Sequence, residues 1–368
     1  MARGRGETSP NRLARQRAAS QLLHRPGGAA HPANVASAIC GAQAQEPRAG
    51  RLSLRCRNAH LTGADIDRAR TEERSLLRTW AMRKTMHLLA TDDASWMLPL
   101  FEPAMATWSQ RRLAHFGMDA RTQDRTLEAI ERALAADGPL LREELTEHLE
   151  RERIKLDQPR RTHIYSLAVT RGVACLGPDI GARAALVLRR DWLDAPKPHD
   201  RDAALRDLTR RYLRAFAPAT EVDFAGWSGL GLGDVRSGLA GIASEMVEVS
   251  LGGETAYRLK GPARRPGPGV VRLLPAYDTY LMGHRNRDFI AANERWRQIM
   301  PGGGILRPAI VVDGVAVGTW RQKRSGKAIR VELEPFERLD ATMMRAIEAE
   351  VADIGRFEGV PAVLAGSG

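Results

Sequence analysis

The chain has 368 residues, 43% of them hydrophobic and 5% aromatic, which predicts roughly two to four compact units with mainly aliphatic cores. Its formal charge is +12 and its pI is about 10.3, with ten arginines against two acidic residues in positions 1–60. A field of that sign concentrates polyanions, most often nucleic acid. The fifty arginines stand beside only six lysines, so the base composition of the genome is an alternative origin of the charge.

Cysteine and histidine spacing argues against several chemistries. The three cysteines (Cys40, Cys56 and Cys175) form no C-x-x-C pair, and none of the nine histidines belongs to an H-E-x-x-H motif. We therefore expect a reducing cytoplasm, no disulfide framework, and neither a metal nor an organic cofactor. No apolar run reaches about 18 residues, which argues against a membrane span. Residues 1–10 are predicted to be a disordered basic tail rather than a signal peptide, and the protein is expected to be cytoplasmic and associated with the nucleoid.

Residues 11–118 are predicted to form a first winged-helix unit and the helix that links it to the next. Leucines and alanines at helical spacing predict a helix within residues 11–25, and a second begins at Pro32. "TGADIDRARTEERSLL" predicts a third helix, and "RTWAMRKTMHLL" then alternates like a strand or a hairpin turning near Lys84. Three helices followed by a β-hairpin are the plan of a winged helix.

The same order of elements recurs twice. A Gly138-Pro139 break separates two of the helices in the second copy, and Thr220 with Asp223 predicts a capping box in the third. Asp313-Gly314 between β-branched runs predicts a later hairpin. The predicted fold is therefore α+β, with three tandem winged-helix units and a β-rich unit around a basic concave cleft. The remaining predicted boundaries are residues 119–200 for the second winged helix, 201–260 for the third, 261–269 for a Pro/Gly linker, and 270–368 for the C-terminal β-rich unit with its closing helix.

The stretch "GAQAQEPRAGRL", residues 41–52, holds Gln43 and Gln45 with only Ala44 between them. Side chains two positions apart point the same way only when the backbone is extended or turn-like. Pro47 is expected to end any helix, because the residue before a proline avoids the α region. The two amides are thus expected to project together from the loop after the second helix. Taken alone, such a pair is usually one surface residue and one residue that ties down a loop.

Three stretches of the chain resemble the winged-helix DNA glycosylases of the AlkZ/YcaQ type. They are "GAQAQEPRAGRLSLRCR…SLLRTWAMRKTMHLLATDD", "PATEVDFAGWSGL…VRSGLAGI…VEV" and "LLPAYDTYLMGHRNR". The resemblance extends over nearly the whole chain from about residue 11. Related proteins carry Q-apolar-D, so Gln45 places this sequence on the AlkZ side of the family.

The resemblance implies three winged helices framing a basic cleft, and a monofunctional glycosylase that removes N7-alkylated purines from double-stranded DNA. Some members also open interstrand cross-links. It implies that Gln43 and Gln45 are the catalytic pair and that a β-hairpin enters the DNA, formed either around Gly252-Gly253 or at Asp313-Gly314. Lys84 stands where the family usually has glycine and Glu46 where it usually has aspartate. We expect these differences to alter substrate preference rather than the reaction.

Further residues are candidate DNA contacts because of their charge and their position near the motifs. His87 is expected to be structural more than catalytic, and Trp80, Trp108 and Trp227 are expected to lie in the core. The candidate DNA contacts are Arg48, Arg51, Arg55, Arg57, Arg83, Lys84, His87, Arg285 and Arg287.

Two other functions compete with a glycosylase. A winged-helix transcriptional regulator without enzymatic activity would dimerise on a palindromic site. A scaffold protein of a repair assembly would bind DNA weakly and with little dependence on salt, whereas a glycosylase should lose affinity steeply as salt rises. Three predicted recognition units in one chain favour a monomer on one duplex.

Overall fold

The computed structural model of the chain describes residues 10–28, 30–180, 183–194, 200–262 and 267–365. The predicted tail at residues 1–10 lies outside these ranges except for Pro10, and so do residues 263–266 of the predicted linker. The described residues form a mixed α+β structure, as the sequence predicts. They divide into two compact units. One contains the segments that end at Ile66 and begin at Leu205, and the other spans Asp67–Ala204.

The N-terminal segment contains one more helix than the sequence predicts. Its elements are α1 (Pro10–Ser20), α2 (Pro32–Ala38), β1 (Ala42–Gln43), α3 (Pro47–Arg55) and α4 (Gly63–Thr71). The expectation that Pro47 ends helical structure is wrong, because Pro47 begins α3. A proline at the first helical position sacrifices no hydrogen bond, and its fixed φ suits the start of a helix. Glu46 before it is extended, with φ −97° and ψ 118°, as a residue before proline prefers.

The second unit is a β-hairpin followed by helices and a further two-stranded ribbon. Its elements are β2 (Leu76–Trp80), β3 (Met86–Ala90), α5 (Thr91–Met97), α6 (Glu102–His115), α7 (Ala120–Asp137), α8 (Arg142–Arg151), α9 (Gln158–Thr170), β4 (Ala174–Ile180), β5 (Arg183–Leu188) and α10 (Arg189–Trp192). Antiparallel pairing of β2 with β3 sets Leu76 opposite Ala90 and Trp80 opposite Met86. The predicted hairpin near Lys84 is therefore confirmed, as is the order of three helices and a paired ribbon from α7 to β5.

Aliphatic side chains at helical spacing build the core of this unit. Ile130, Leu145 and Ile164 of α7, α8 and α9 are fully buried together with Leu186 of β5. The three tryptophans predicted to be buried differ in solvent exposure. Trp227 is buried and Trp80 is half-buried, whereas 40% of the Trp108 surface is exposed. The core prediction for Trp108 is wrong, and this residue lies on the outer face of α6.

The third segment repeats the order of three helices and two strands. Its elements are α11 (Arg201–Phe216), α12 (Glu221–Ser228), α13 (Leu232–Gly241), β6 (Met246–Leu251) and β7 (Glu254–Leu259). The predicted capping box is confirmed, since the Thr220 backbone N–H donates to Asp223 Oδ2 and the Asp223 N–H donates to Thr220 Oγ1, each at 3.0 Å. The two strands pair antiparallel around Gly252-Gly253.

A five-stranded sheet and a long helix form the C-terminal part. The elements are β8 (Val271–Leu274), α14 (Thr279–Met282), α15 (Asn293–Ile299), β9 (Ala309–Val312), β10 (Val315–Ser325), β11 (Ala328–Pro335), α16 (Ala341–Glu358) and β12 (Ala362–Leu364). The strand order is β12-β11-β10-β9-β8, antiparallel except for the β11–β12 pair. Asp313 and Gly314, with φ values of 52° and 87°, form the predicted turn between β9 and β10. Helix α16 packs against β8, β12 and α3.

Candidate active site and DNA-contacting residues

The two glutamines lie in a short connection between α2 and α3. Helix α2 ends where the Gly41 N–H donates to the Ala36 carbonyl at 2.8 Å, with Gly41 in the left-handed region at φ 89°. Gln43 closes β1 and is 4% exposed, whereas Gln45 lies in the following bend and is exposed. The amides therefore differ in exposure, and the segment is a strand followed by a bend rather than one extended stretch. An enclosed amide such as Gln43 presents a carbonyl dipole whose direction its surroundings fix.

Helix α3 is held in place by buried hydrogen bonds at its C-terminal end. Asp278, which is completely buried, accepts from Ser53 Oγ at 2.7 Å and from both terminal nitrogens of Arg57 at 2.8 Å. The same carboxylate accepts the Tyr280 N–H at 2.9 Å and so caps α14. The "LLPAYDTYLMGHRNR" motif thus connects, through one side chain, the helix after the glutamines with the segment that carries Arg285 and Arg287.

Arg55 is enclosed in a second ionic cluster formed with α16. Its guanidinium donates to Asp353 Oδ2 at 2.7 Å and to Glu350 Oε2 at 3.1 Å. Arg55 and Arg57 were both predicted to contact DNA, and the structure corrects that prediction. Their side chains are 0% exposed and engaged by carboxylates of the protein, so a phosphate could be reached only by breaking a buried ion pair.

Arg48 and Arg51 occupy the first two turns of α3 and remain partly exposed. Arg48 Nε donates to Glu358 Oε1 at 3.0 Å, and 36% of the arginine side chain stays open to solvent. These two residues therefore remain candidate DNA contacts. Along α3 the arginines divide into an accessible N-terminal pair and an enclosed pair at and beyond the C-terminal end.

In the second unit, the β2–β3 hairpin carries three of the predicted DNA contacts. Arg83 and Lys84 at its tip are half-buried and exposed, and both have positive φ, 54° and 61°. His87 is 2% exposed and its Nδ1 lies 3.0 Å from the Thr85 carbonyl, which only accepts hydrogen bonds, so Nδ1 carries the proton. Burial, aided by Arg83, lowers the pKa of His87 to about 3. A neutral, enclosed imidazole cannot pair with a phosphate, and the structure corrects the prediction for His87 to a structural role.

The "GHRNR" segment places its two arginines differently. Arg285 is exposed and its backbone N–H donates to Asp223 Oδ1 at 2.7 Å. Arg287 is half-buried, with Nε bonded to the Leu281 carbonyl at 3.2 Å and the guanidinium 5.1 Å from the Trp296 ring centroid. Both remain candidates, with Arg285 the more accessible.

Neither hairpin considered from the sequence has the features of one that enters DNA. Gly314 is buried: Tyr280 Oη donates to its carbonyl at 2.7 Å, and a Cβ at this position would lie 2.4 Å from the Ala14 carbonyl oxygen. The Asp313-Gly314 tip is therefore packed inside the protein. Around Gly252-Gly253 the charged residues nearest in sequence are Glu248 and Glu254, whose negative charge would be repelled by a phosphate backbone.

A third hairpin, β10–β11, has the required charge and exposure. Lys323 and Arg330 stand directly opposite each other, and Arg324 and Lys327 flank the tip; all four are exposed. Like charges directly across a strand pair are destabilising, so this arrangement favours an anionic partner. This hairpin is not among the elements predicted from the sequence, although the Ser325-Gly326 dipeptide after the basic run "RQKR" is a turn signal.

Two further observations concern cofactors and membranes. Within the ranges the structure describes, no group of three or more His, Cys, Asp or Glu side chains is placed to hold a metal ion. Every helix in those ranges is too short or too polar for a bilayer crossing.

Comparison with known proteins identifies the class. A sequence profile of the family described as "DNA glycosylase AlkZ-like" matches residues 36–357. The chain therefore belongs to the AlkZ-like DNA glycosylases, enzymes that hydrolyse N-glycosyl bonds. A curated relative from Streptomyces sahachiroi, named "Interstrand DNA cross-link repair glycosylase", is 28% identical over 349 residues, which are 89% of this chain and 91% of the relative. The solved structure of the Streptomyces sahachiroi DNA glycosylase AlkZ matches with a TM-score of 0.79 and 26% identity, covering 98% of this chain and all of that one.

Proposed function

We propose that this DNA glycosylase removes N7-alkylated purines, including bulky adducts and interstrand cross-links, from double-stranded DNA and leaves an abasic site. The catalytic pair is Gln43 and Gln45. The observation that carries the proposal is the position of the pair immediately before α3, a helix that buried ion pairs fix in place. The name of the cross-link repair relative supports the substrate class. Membership of a glycosylase family does not favour the alternative of a non-enzymatic regulator.

The lesion itself explains why two uncharged amides suffice. Alkylation at N7 of guanine places a positive charge on the base, which then departs as a neutral molecule. The bond breaks through an oxocarbenium-like transition state at the sugar C1′, as in other glycoside cleavages. The enzyme therefore needs oriented dipoles and a positioned water rather than a strong acid.

The different exposure of the two amides supports different roles for them. Gln43, through the 4% of its surface that remains exposed, directs its carbonyl oxygen to the attacking water and to the positive charge developing at C1′. Gln45, at the surface, completes the set of polar groups around C1′ when DNA binds. An amide carbonyl is too weak a base to remove a proton early, so the water adds to C1′ as the base leaves and then loses its proton to bulk solvent. Such a good leaving group also makes deep extrusion of the base unnecessary, which suits bulky or cross-linked substrates.

The DNA is held by exposed cations. We assign residues 11–118, 119–200 and 201–260 to three winged helices that bind duplex DNA along a basic cleft, with the protein acting as a cytoplasmic, nucleoid-associated monomer. The β10–β11 hairpin enters the duplex, because its tip is exposed and carries four cations. Phosphate contacts come from the accessible candidates, which are Arg48, Arg51, Arg83, Lys84, Arg285 and Arg287.

One assay tests the proposal. Purified protein is incubated with a duplex that carries a single N7-methylguanine, and strand cleavage after alkali reports the abasic site. The wild type is expected to give a cleaved strand, and Gln43→Ala to give none while binding the same duplex with nearly unchanged affinity. A second duplex, with one interstrand cross-link, tests the wider substrate range. Absence of cleavage by the wild type on both duplexes would overturn the proposed substrate class, and full activity of Gln43→Ala would overturn the assignment of the catalytic residue.

A further inference from the structure

Helix α6 carries a stripe of exposed side chains that the proposed function leaves unused. Trp108, Arg111 and Arg112 are spaced three and four residues apart and so share one face of the helix. All three are exposed, including the indole of Trp108, 40% of whose surface meets solvent. The only acidic residue of α6 is Glu102 at its start, and Glu102 is paired with Arg189 at 2.7 Å. The exposed stripe therefore combines a large aromatic ring with uncompensated positive charge.

The tip of the β2–β3 hairpin adds a third cation to the stripe. The Lys84 ammonium lies 5.3 Å from the centroid of the Trp108 ring, and the Arg112 guanidinium carbon lies 4.9 Å from that of Phe116. Rings hold these cations in place without neutralising them. Among the described residues, no carboxylate lies within 4.0 Å of Lys84, Arg111 or Arg112.

The backbone conformation at the hairpin tip is strained at Lys84. Arg83 and Lys84 are consecutive residues with positive φ, a conformation that L side chains adopt with strain and glycine adopts freely. Strained residues of this kind concentrate at sites of function. A glycine at position 84 would relieve the strain but would remove the cation that Trp108 holds.

We infer that Lys84, Arg111 and Arg112, arranged around Trp108, form a binding surface for the phosphate backbone of duplex DNA outside the catalytic segment. This inference rests on the proposed function, because it supplies a site for the duplex that flanks the lesion. Three cations without a carboxylate partner, two of them held over aromatic rings, complement a regular row of phosphates. Trp108 acts by positioning Lys84, and Phe116 does the same for Arg112.

The salt dependence of binding tests the inference on the full-length protein. The affinity for an undamaged duplex is measured over a series of NaCl concentrations for Lys84→Gln, Arg111→Gln, Arg112→Gln and the triple variant. Each lost phosphate contact should reduce the slope of log K against log salt by about 0.9, so the triple variant should change it by about 2.7. The matched control is Arg132→Gln on α7 of the same unit, an exposed arginine paired with Glu152, which should leave the slope unchanged. Trp108→Ala should lower the affinity several-fold through Lys84, because an exposed cation–π contact contributes about 0.5–1 kcal/mol.

The outcomes distinguish a failure of the inferred DNA-binding surface from a failure of the proposed glycosylase activity. An unchanged slope in the triple variant overturns the inference. A loss seen with the corresponding single strand but not with the duplex also overturns it, because the surface would then bind single-stranded DNA. Excision of N7-methylguanine by the wild type is measured separately. If the wild type fails to excise but the slopes change as expected, the proposed function is wrong and the DNA-binding surface stands.

Discussion

Arg57 and Asp278 form a bidentate ion pair in which both side chains are 0% exposed, with each terminal guanidinium nitrogen 2.8 Å from a carboxylate oxygen. The pair joins the end of α3 to the start of α14. Since buried charges without partners are strongly unfavourable, these two residues fix the path of the chain that leaves the glutamine segment. The geometry of the candidate active site therefore depends on a contact between residues 221 positions apart in sequence.

Replacing Asp278 by Asn should lower the free energy of unfolding by about 3–5 kcal/mol, because Arg57 would stay buried without its counter-charge. Urea unfolding measures the loss. Ser53→Ala, which removes only one donor to Asp278, should cost about 1 kcal/mol and is the milder test if the first variant does not fold. Glu152→Gln in an exposed ion pair is the control and should have little effect. A change below about 1 kcal/mol for Asp278→Asn would contradict the assigned role.

Gln43→Met tests the amide apart from the volume of the side chain. Methionine has a similar length and tolerates buried positions, so the unfolding midpoint should stay close to that of the wild type. The single-turnover rate of N7-methylguanine release should fall about 100- to 1000-fold, the usual effect of removing one dipole that stabilises a transition state. Gln45→Met, at the exposed position, is the companion variant and should also slow release. A Gln43→Met enzyme that retains the wild-type rate would show that the amide has no chemical role.

His87 should make the protein less stable in acid. Because burial lowers its folded-state pKa to about 3, while an unfolded histidine titrates near about 6.5, the unfolded chain binds the extra proton between these values. The contribution of His87 is fully present above pH 6.5 and is lost, by about 1.4 kcal/mol per pH unit, as the pH falls toward 3. Between pH 7.5 and 4.5 the wild type should lose on the order of 2–3 kcal/mol more than His87→Gln. Equal losses in urea unfolding at both pH values would refute this explanation.

Neutralising the tip of the β10–β11 hairpin should weaken DNA binding without lowering the stability of the fold. Lys323→Gln with Arg330→Gln relieves a repulsive cross-strand pair, so the stability should be unchanged or slightly higher. The affinity for a duplex should nevertheless fall at least tenfold at low salt, measured by fluorescence anisotropy. Arg321→Gln on the same strand, whose partner is Glu332, is the matched control. A loss of stability together with affinity would indicate that the hairpin is a structural element rather than a DNA contact.

The sequence predicts the order of elements well wherever local signals determine it. The Thr220–Asp223 capping box, the Asp313-Gly314 turn and the Gly138 break each depend on residues close in sequence, and all appear where expected. The prediction for Pro47 is wrong because a proline is compatible with both the end and the start of a helix, and only the packing of α3 decides between them.

The fate of individual arginines could not be predicted from the sequence. Arg48 and Arg55 stand in the same basic stretch, but one is partly exposed and the other meets Glu350, 295 positions away. A run of cations near a motif therefore does not by itself predict a positive surface. Carboxylates from elements distant in sequence can pair with those cations and bury them, and only the fold shows where these carboxylates lie. The same reasoning applies to Trp108, whose exposure depends on what α6 packs against.

The cluster of Arg55 with Glu350 and Asp353 has a consequence for biosynthesis. The glutamine segment leaves the ribosome well before the carboxylates that immobilise the neighbouring helix, which are made some 300 residues later. The glutamine segment must therefore wait for the synthesis of α16 before it acquires its final shape. Nascent or truncated chains that lack α16 should be inactive, and so an incomplete glycosylase is kept from acting on the genome.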